Sequence, residues 1–162
     1  MTNLEFYVSR RQAERPAFIK VLKALPPGHL DYRPDPRSRT AAQLTAVLSG
    51  SEAALLALIE NGEVEWKEDL GPGTVEEMAA AYERDAARID ERLAALDDTA
   101  WEREVRMLMN GAPVWSDTLS QMAWGFLFDA VHHRGQLSTY LRPMGGKVPA
   151  IYGPSADDSG SQ

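Results

Sequence analysis

The fold is decided by residues 117–141, DTLSQMAWGFLFDAVHHRGQLSTYL. Apolar side chains recur in this stretch at steps of three and four residues, which predicts one long helix with an apolar face. These side chains are Leu119, Met122, Ala123, Phe126, Ala130, Leu137 and Leu141. Asp129 and His133 are four residues apart on the same face, so both point toward the interior that this face covers. They are either a first pair of metal ligands or a buried ion pair.

Three further helices are predicted from the same apolar spacing. They span about residues 3–25, 40–61 and 74–96. Two pairs of residues have the spacing of a capping box, Thr40 with Gln43 and Thr74 with Glu77. Such a box satisfies free backbone amides at a helix start, so it fixes the beginning of the second and third helices. Pro16 interrupts the first pattern, and we expect either a kinked helix or a short helix joined to a longer one.

Long connections separate these helices, and the one before the last helix contains a turn signal. Asn110 and Gly111 could close a tight turn between two short extended arms. The fold class that we predict is all-α, a four-helix bundle with long loops, in crossover or in up-and-down order. Residues 1–154 are expected to form a single domain whose C-terminal extension packs back on the bundle. Residues 155–162 are small, polar and acidic, which predicts a disordered tail.

Composition narrows the classes of function. The 162 residues are enough for one core, and a net charge of −7 repels both a phosphate backbone and an anionic membrane surface. Nucleic acid and membrane are therefore not expected as partners. The chain has no cysteine, so it forms neither a disulfide nor a thiolate metal site. It shows no signal-peptide core and no run approaching the ~20 apolar residues of a membrane span, which predicts a soluble, cytoplasmic protein.

Residues 128–157, FDAVHHRGQLSTYLRPMGGKVPAIYGPSAD, carry a family resemblance. They resemble the C-terminal signature of the DinB/YfiT-like family of small four-helix proteins, in which two histidines separated by three residues directly precede Arg-Gly-Gln. His133 matches the second histidine, and Asp129 occupies the position of the first. The resemblance places a third metal ligand on the second helix, where Val47 aligns with it. The resemblance thus implies a four-helix bundle with a metal centre between its second and fourth helices.

The resemblance also implies a divalent metal, which would be zinc, nickel or iron, on Asp129 and His133. Val47 cannot bind a metal, and three protein ligands are the usual minimum for a catalytic site. Glu52 could substitute as a ligand, or it could be an ordinary ion-paired helix residue. His132 diverges from His133 by about 100° around the helix, so both would reach one ion only after local rearrangement. The alternative is a structural polar pair, or an Arg134–carboxylate pair, in the core.

Three functions remain open at this level. Characterised members of the family include thiol transferases and thiol-dependent isomerases, so the resemblance implies metal-assisted transfer or isomerisation with a low-molecular-weight thiol. The second candidate is a non-catalytic protein that binds a small molecule and whose metal site has decayed. The third is a dimeric structural protein. A homodimer is expected in part because family members often pair, and in part because five aromatic side chains exceed what one small core encloses. These are Trp101, Trp115, Trp124, Phe128 and Tyr140.

Overall fold

The computed structural model of the protein describes residues 1–67 and 73–160. Four long helices form a bundle: α1 (Asn3–Lys23), α2 (Ala41–Asn61), α3 (Val75–Ala94) and α5 (Leu119–Tyr140). A short helix, α4 (Asp98–Trp101), precedes the last connection, and a single 3-10 turn spans Pro27–His29. The four predicted helices are therefore present, with ends within two residues of the expected ones. The first is one helix that contains Pro16, not two joined helices.

Capping explains where α2 and α3 begin. The Gln43 amide donates to Thr40 Oγ1 at 3.2 Å, and the Thr40 amide donates to Gln43 Oε1 at 2.8 Å. Thr74 and Glu77 form the same reciprocal pair at the start of α3. Both predicted capping boxes are thus confirmed. Each box satisfies two amides that the first helical turn leaves without an intrahelical partner.

A small sheet accompanies the helices, so the all-α prediction is wrong in part. Its three strands are β1 (Glu63–Glu65), β2 (Glu104–Met109) and β3 (Ala112–Thr118). Strands β2 and β3 form the antiparallel hairpin expected around Asn110 and Gly111, whose φ angles of 53° and 75° are both positive, as a two-residue hairpin turn requires. Strand β1 pairs parallel to β2. Three residues are too few for a period-two pattern to be recognised in a sequence.

The helix order around the bundle places the site. Helix α1 packs against α3 and α5, and α2 packs against the same two helices, so α1 and α2 lie diagonally opposite each other. Both long connections, before α2 and before α5, therefore cross the bundle, which is the crossover alternative of the sequence prediction. The core includes Phe126, Met122 and Leu137 of α5, as their spacing predicted. This order brings the interior faces of α2 and α5 together.

Helix α2 is the most apolar of the long helices. Among the described residues it alone is long and apolar enough to span a membrane by length and composition, whereas no such stretch was expected from the sequence. Within its most apolar 18-residue window, 61% is buried inside the protein. Leu44, Leu48, Leu55 and Leu58 of this helix are buried in the bundle. The apolar surface of α2 is thus packed against the other helices in the core of the bundle.

The C-terminal segment packs back on the bundle as expected. The Asp157 carboxylate accepts hydrogen bonds from the Val148 amide and from Arg142 Nε, both at 2.9 Å. The Asp158 carboxylate accepts one from the Ala150 amide at 2.8 Å. The side chains of Asp157 and Asp158 thus close loops with the segment before them. The disordered tail expected over residues 155–162 stays a prediction. Residues 161 and 162 lie outside the described residues, as do residues 68–72 of the connection after α2.

Candidate functional site

Asp129 and His133 come together on α5 as their spacing predicted. Their side chains are one helical turn apart, and Asp129 Oδ2 lies 3.3 Å from His133 Nε2. The His133 side chain is buried with 10% of its surface exposed, whereas that of Asp129 is 55% exposed. The pair therefore has a buried imidazole and a carboxylate that reaches the surface. A ligand would meet the carboxylate first.

Gln136 fixes the other side of the imidazole ring. Its Oε1 lies 2.7 Å from His133 Nδ1, so with the amide oxygen as acceptor the Nδ1 atom carries a proton. Both ring nitrogens then face oxygen acceptors, which favours the imidazolium form. The hydrogen bond to Asp129 raises the pKa of His133 above its ordinary value, against the effect of burial. The reciprocal hydrogen bond from His133 lowers the pKa of Asp129.

The position that the family resemblance assigns to a third ligand is apolar. Val47 is buried on α2, the helix that packs against α5, and it has no atom that coordinates a metal. His132 is exposed, and its ring is 5.2 Å from the His133 ring at an angle of 61°. Over residues 1–67 and 73–160, no three His, Asp or Glu side chains are grouped so that they could hold a metal ion. The donor set at this site is thus two residues.

Glu52 is engaged elsewhere in the interior. Arg11 Nη1 donates to Glu52 Oε1 at 3.1 Å, and Arg11 Nη2 donates to Glu52 Oε2, so the carboxylate is held on both oxygens. Both residues are buried. Of the four residues predicted as ligands, the structure brings Asp129 and His133 together, leaves His132 beside them, and assigns Glu52 to an ion pair. The ordinary reading of Glu52 as an ion-paired helix residue is the one that the structure supports.

The spacing of the two donors nevertheless suits one ion. Two ligands on a tetrahedral metal at about 2.0–2.1 Å are separated by about 3.3 Å, which is the separation found here. The bond from His133 Nδ1 to Gln136 is the kind of outer hydrogen bond that orients a metal-binding histidine. The residues therefore fit two positions of a metal's coordination shell, but not the three protein positions of a complete catalytic centre.

The hairpin covers α5 one turn before the site. A Cβ atom on Gly125 would lie 2.6 Å from Cη2 of Trp115, so the indole ring of β3 rests on the bare backbone of the helix. The Trp115 and Phe126 rings are 6.2 Å apart. The Trp115 ring thus covers α5 at Gly125 and Phe126, about one turn before Asp129. Sequence analysis missed this role, and only the glycine four residues before Asp129 hinted at a close approach there.

Arg134 forms the buried pair that the structural alternative anticipated. Its Nη1 donates to Glu14 Oε2 at 2.7 Å, and its guanidinium lies 4.6 Å from the centre of the Phe18 ring. Tyr152 also donates to Glu14 Oε2, at 2.7 Å. The Tyr152 and Arg134 hydrogen bonds lower the pKa of Glu14, although its partial burial acts to raise it. Arg134 therefore joins α5, α1 and the C-terminal segment and does not face Asp129.

The expected homodimer stays a prediction. Of the five aromatic residues on which it rested, Trp101 and Tyr140 are buried within one chain and Trp115 and Trp124 are partly buried. Phe128 alone among them is largely exposed. One small core thus encloses more aromatic surface than the sequence suggested, because the hairpin and the C-terminal segment add to it.

Comparisons with known proteins find similar proteins over almost the whole chain. The model of the DinB family matches residues 1–161. A DinB-like protein from Bacillus cereus ATCC 10987 has a similar structure, with a TM-score of 0.73, 19% identity, and coverage of 91% of this chain and 97% of that one. No curated protein sequence matches the chain.

Two further solved structures are similar. YfiT from Bacillus subtilis, described as a probable metal-dependent hydrolase with an unusual four-helix bundle topology, gives a TM-score of 0.72 at 13% identity, covering 89% of each chain. The mycothiol-dependent maleylpyruvate isomerase gives 0.58 at 14% identity, covering 90% of this chain and 62% of that one. Identities this low show a shared fold only.

Proposed function

This chain belongs to the DinB family, and we propose that it is a non-catalytic member that binds a small molecule and has an incomplete metal centre. The observation that carries this proposal is the donor set. Asp129 and His133 lie 3.3 Å apart, but the position that the family resemblance assigns to a third ligand holds Val47, whose buried side chain has no donor atom. Two protein ligands and a proton competing for His133 give weak metal binding.

The chemistry of the pair supports binding without a metal. His133 is held between Asp129 and Gln136, so the ring is fixed in orientation and its charge is balanced by the carboxylate. The exposed half of Asp129 can accept hydrogen bonds from a ligand. Arg39, at the start of α2, adds a positive charge that acts on both members of the pair. The surface at this point therefore suits a small polar ligand that both donates and accepts hydrogen bonds.

Two measurements test this function. Metal content is determined on protein purified without an affinity tag, and we expect far less than one metal ion per chain. A thermal-shift screen of small thiols and other polar molecules then compares the natural protein with Asp129→Asn, and we expect a ligand that stabilises the natural protein more than the variant. One tightly held metal ion per chain, or stabilisation that is equal in both proteins for every compound, would contradict the proposal.

A metal-dependent thiol transferase or isomerase is the second candidate. Its specific support is the 3.3 Å separation of Asp129 Oδ2 and His133 Nε2, which suits two ligands of one ion, together with the fold shared with a mycothiol-dependent isomerase and a probable metal-dependent hydrolase. When bound, a zinc, nickel or iron ion would act as a Lewis acid that stabilises a thiolate or polarises an electrophile. A full complement of metal in tag-free protein would favour this candidate.

The partner that we propose is a second copy of the chain. Its support is on the hairpin, where Met109 and Val114 are exposed and β3 is an edge strand of the sheet. Edge strands that carry apolar side chains can pair with another chain. Sedimentation equilibrium at micromolar concentration is expected to give the mass of two chains. A monomer would reject this proposal.

A further inference from the structure

A cavity lies on the face of the bundle formed by α1, α5 and the C-terminal segment. Its volume is about 370 Å³, within the range of small-ligand sites. Helix α1 contributes Phe6, Arg10 and Glu14, and α5 contributes Trp124 and Phe128. Asp129 and His133 do not line this cavity, which we call the aromatic groove. Whatever the groove binds is thus independent of the proposed function of the Asp129–His133 pair.

The wall of the aromatic groove is a row of rings. The Phe6 and Trp124 centroids are 5.7 Å apart, and the Trp124 and Phe128 rings are stacked at 5.6 Å. Phe6 is 47% exposed, Phe128 is 65% exposed and Tyr152, at the other side, is 74% exposed. Half of the six large apolar side chains exposed in the described residues therefore line one cavity. Exposed apolar patches of this kind mark binding surfaces.

The charges around the groove set the sign of its ligand. Glu14 is compensated, because Arg134 and Tyr152 both donate to its Oε2 atom. Arg10 is exposed and makes no hydrogen bond, ion pair or ring contact with another residue in the part of the chain that the structure describes. Arg10 and Arg134 together carry one positive charge more than Glu14, on which the Arg10 charge also acts, so this side of the groove is net positive in a chain whose net charge is −7. An apolar molecule with a single negative charge is complementary to it.

We propose that the aromatic groove binds an apolar carboxylic acid, with its hydrocarbon or aryl part on the row formed by Phe6, Trp124 and Phe128 and its carboxylate on Arg10. Stacking on exposed rings removes apolar area from water on both partners. The planar guanidinium of Arg10 can hold both oxygens of a carboxylate. A neutral analogue retains only the first contribution, and a cationic analogue meets repulsion at Arg10.

The test uses phenylbutyrate, phenylbutanamide and phenylbutylamine as matched probes in calorimetry with the natural protein. We expect the acid to bind about tenfold or more tightly than the amide, and the amine to bind weakest. Arg10→Gln should weaken binding of the acid about tenfold, whereas Arg33→Gln, an exposed arginine outside the groove, should not. Equal affinity for the three probes, or an unchanged affinity in Arg10→Gln, would overturn the proposal.

Three further variants assign the binding to the groove. Phe128→Ala should weaken binding of phenylbutyrate, and Val114→Ala, which removes an exposed apolar side chain from the hairpin, should not. Asp129→Asn should bind the acid unchanged. If Asp129→Asn abolishes binding while Phe128→Ala does not, the acid binds at the Asp129–His133 pair and the groove proposal fails. It also fails if sedimentation shows that Phe128→Ala dissociates a dimer, since a second copy then occupies the groove.

Discussion

Arg11 and Glu52 form a buried ion pair through the centre of the bundle, joining the two diagonally opposite helices α1 and α2. Each of these helices therefore contains a charged side chain that is buried and is bonded to the opposite charge on the other helix. It also means that the Glu52 carboxylate, a candidate ligand by sequence, has both oxygens bonded to a guanidinium. A metal at the Asp129–His133 pair would have to draw Glu52 away from that partner.

Glu52→Gln should destabilise the protein by about 3–5 kcal/mol, because it removes the carboxylate that is hydrogen-bonded to the buried Arg11 and leaves only Asp90, whose Oδ1 lies 3.6 Å from Arg11 Nε. Urea unfolding of the natural protein and the variant measures this cost. The double variant Arg11→Met with Glu52→Leu is the control, and it should recover most of the loss since it removes both charges. A cost below about 1 kcal/mol for Glu52→Gln would show that the pair is not desolvated.

Two glycines of α5 should respond oppositely to alanine. Gly125→Ala places a Cβ atom 2.6 Å from the Trp115 ring and should cost about 1–3 kcal/mol through displacement of the hairpin. Gly135 has no atom of another element within 4 Å of the position that its Cβ atom would take, so a methyl group there meets open space. Gly135→Ala should therefore stabilise the helix by about 0.5–1 kcal/mol. Thermal unfolding compares them, and stabilisation by both substitutions would mean that Trp115 does not lie on Gly125.

Phe126→Ala should cost about 3–5 kcal/mol, since the ring is buried in the core beneath Trp115. Phe128→Ala, two residues later on the same helix, removes a ring that is 65% exposed and should cost about 0.5 kcal/mol or less. Urea unfolding of both variants gives the two values. Similar costs for the two substitutions would show that the apolar face of α5 is assigned wrongly.

The Asp129–His133 pair should stabilise the protein only in mildly acidic solution. The raised pKa of His133 gives a contribution that is complete below about pH 6.5 and is lost as pH rises through the folded-state pKa. The lowered pKa of Asp129 gives one that is complete above about pH 3.9 and is lost as pH falls through its folded-state pKa. Both contributions are therefore complete between about pH 3.9 and about pH 6.5.

Asp129→Asn should therefore cost about 0.2–1 kcal/mol at about pH 5.5 and almost nothing at about pH 9, a small value because the carboxylate is half exposed. Urea unfolding at both pH values measures it. Asp35→Asn is the control, because Asp35 pairs with Arg37 and not with a histidine. An equal cost of Asp129→Asn at both pH values would show that His133 is not charged in the pair.

Local patterns in the sequence were enough to predict the positions of the four long helices. Capping pairs such as Thr40 with Gln43, and the apolar spacing of α5, depend on residues three and four apart, so they are visible without a structure. The Asp129–His133 pair was predicted for the same reason. Strand β1 and the order of the helices were not, because pairing with β2 and the diagonal placement of α1 and α2 depend on contacts between distant residues.

The same limit explains what was missed at the site. Arg11 lies 41 residues from Glu52 along the chain, and Trp115 reaches Gly125 only because the hairpin folds over α5. No periodicity indicates either contact. Gln136 is only three residues from His133, yet its role in fixing the tautomer follows from the 2.7 Å distance between its Oε1 atom and His133 Nδ1 and not from the spacing.

Zinc calorimetry on tag-free protein tests most directly whether Val47 leaves the metal centre incomplete. We expect the natural protein to bind zinc weakly and Val47→His to bind one ion per chain more than about a hundredfold more tightly. Residues that only hydrogen-bond to a metal ligand already change metal affinity by about 10–100-fold, and a ligand itself should change it at least as much. Val47→Gln, which is polar but supplies no imidazole, should remain weak, and adding His133→Ala to Val47→His should abolish the gain. Tight binding of one zinc ion by the natural protein, with no improvement in Val47→His, would contradict the claim.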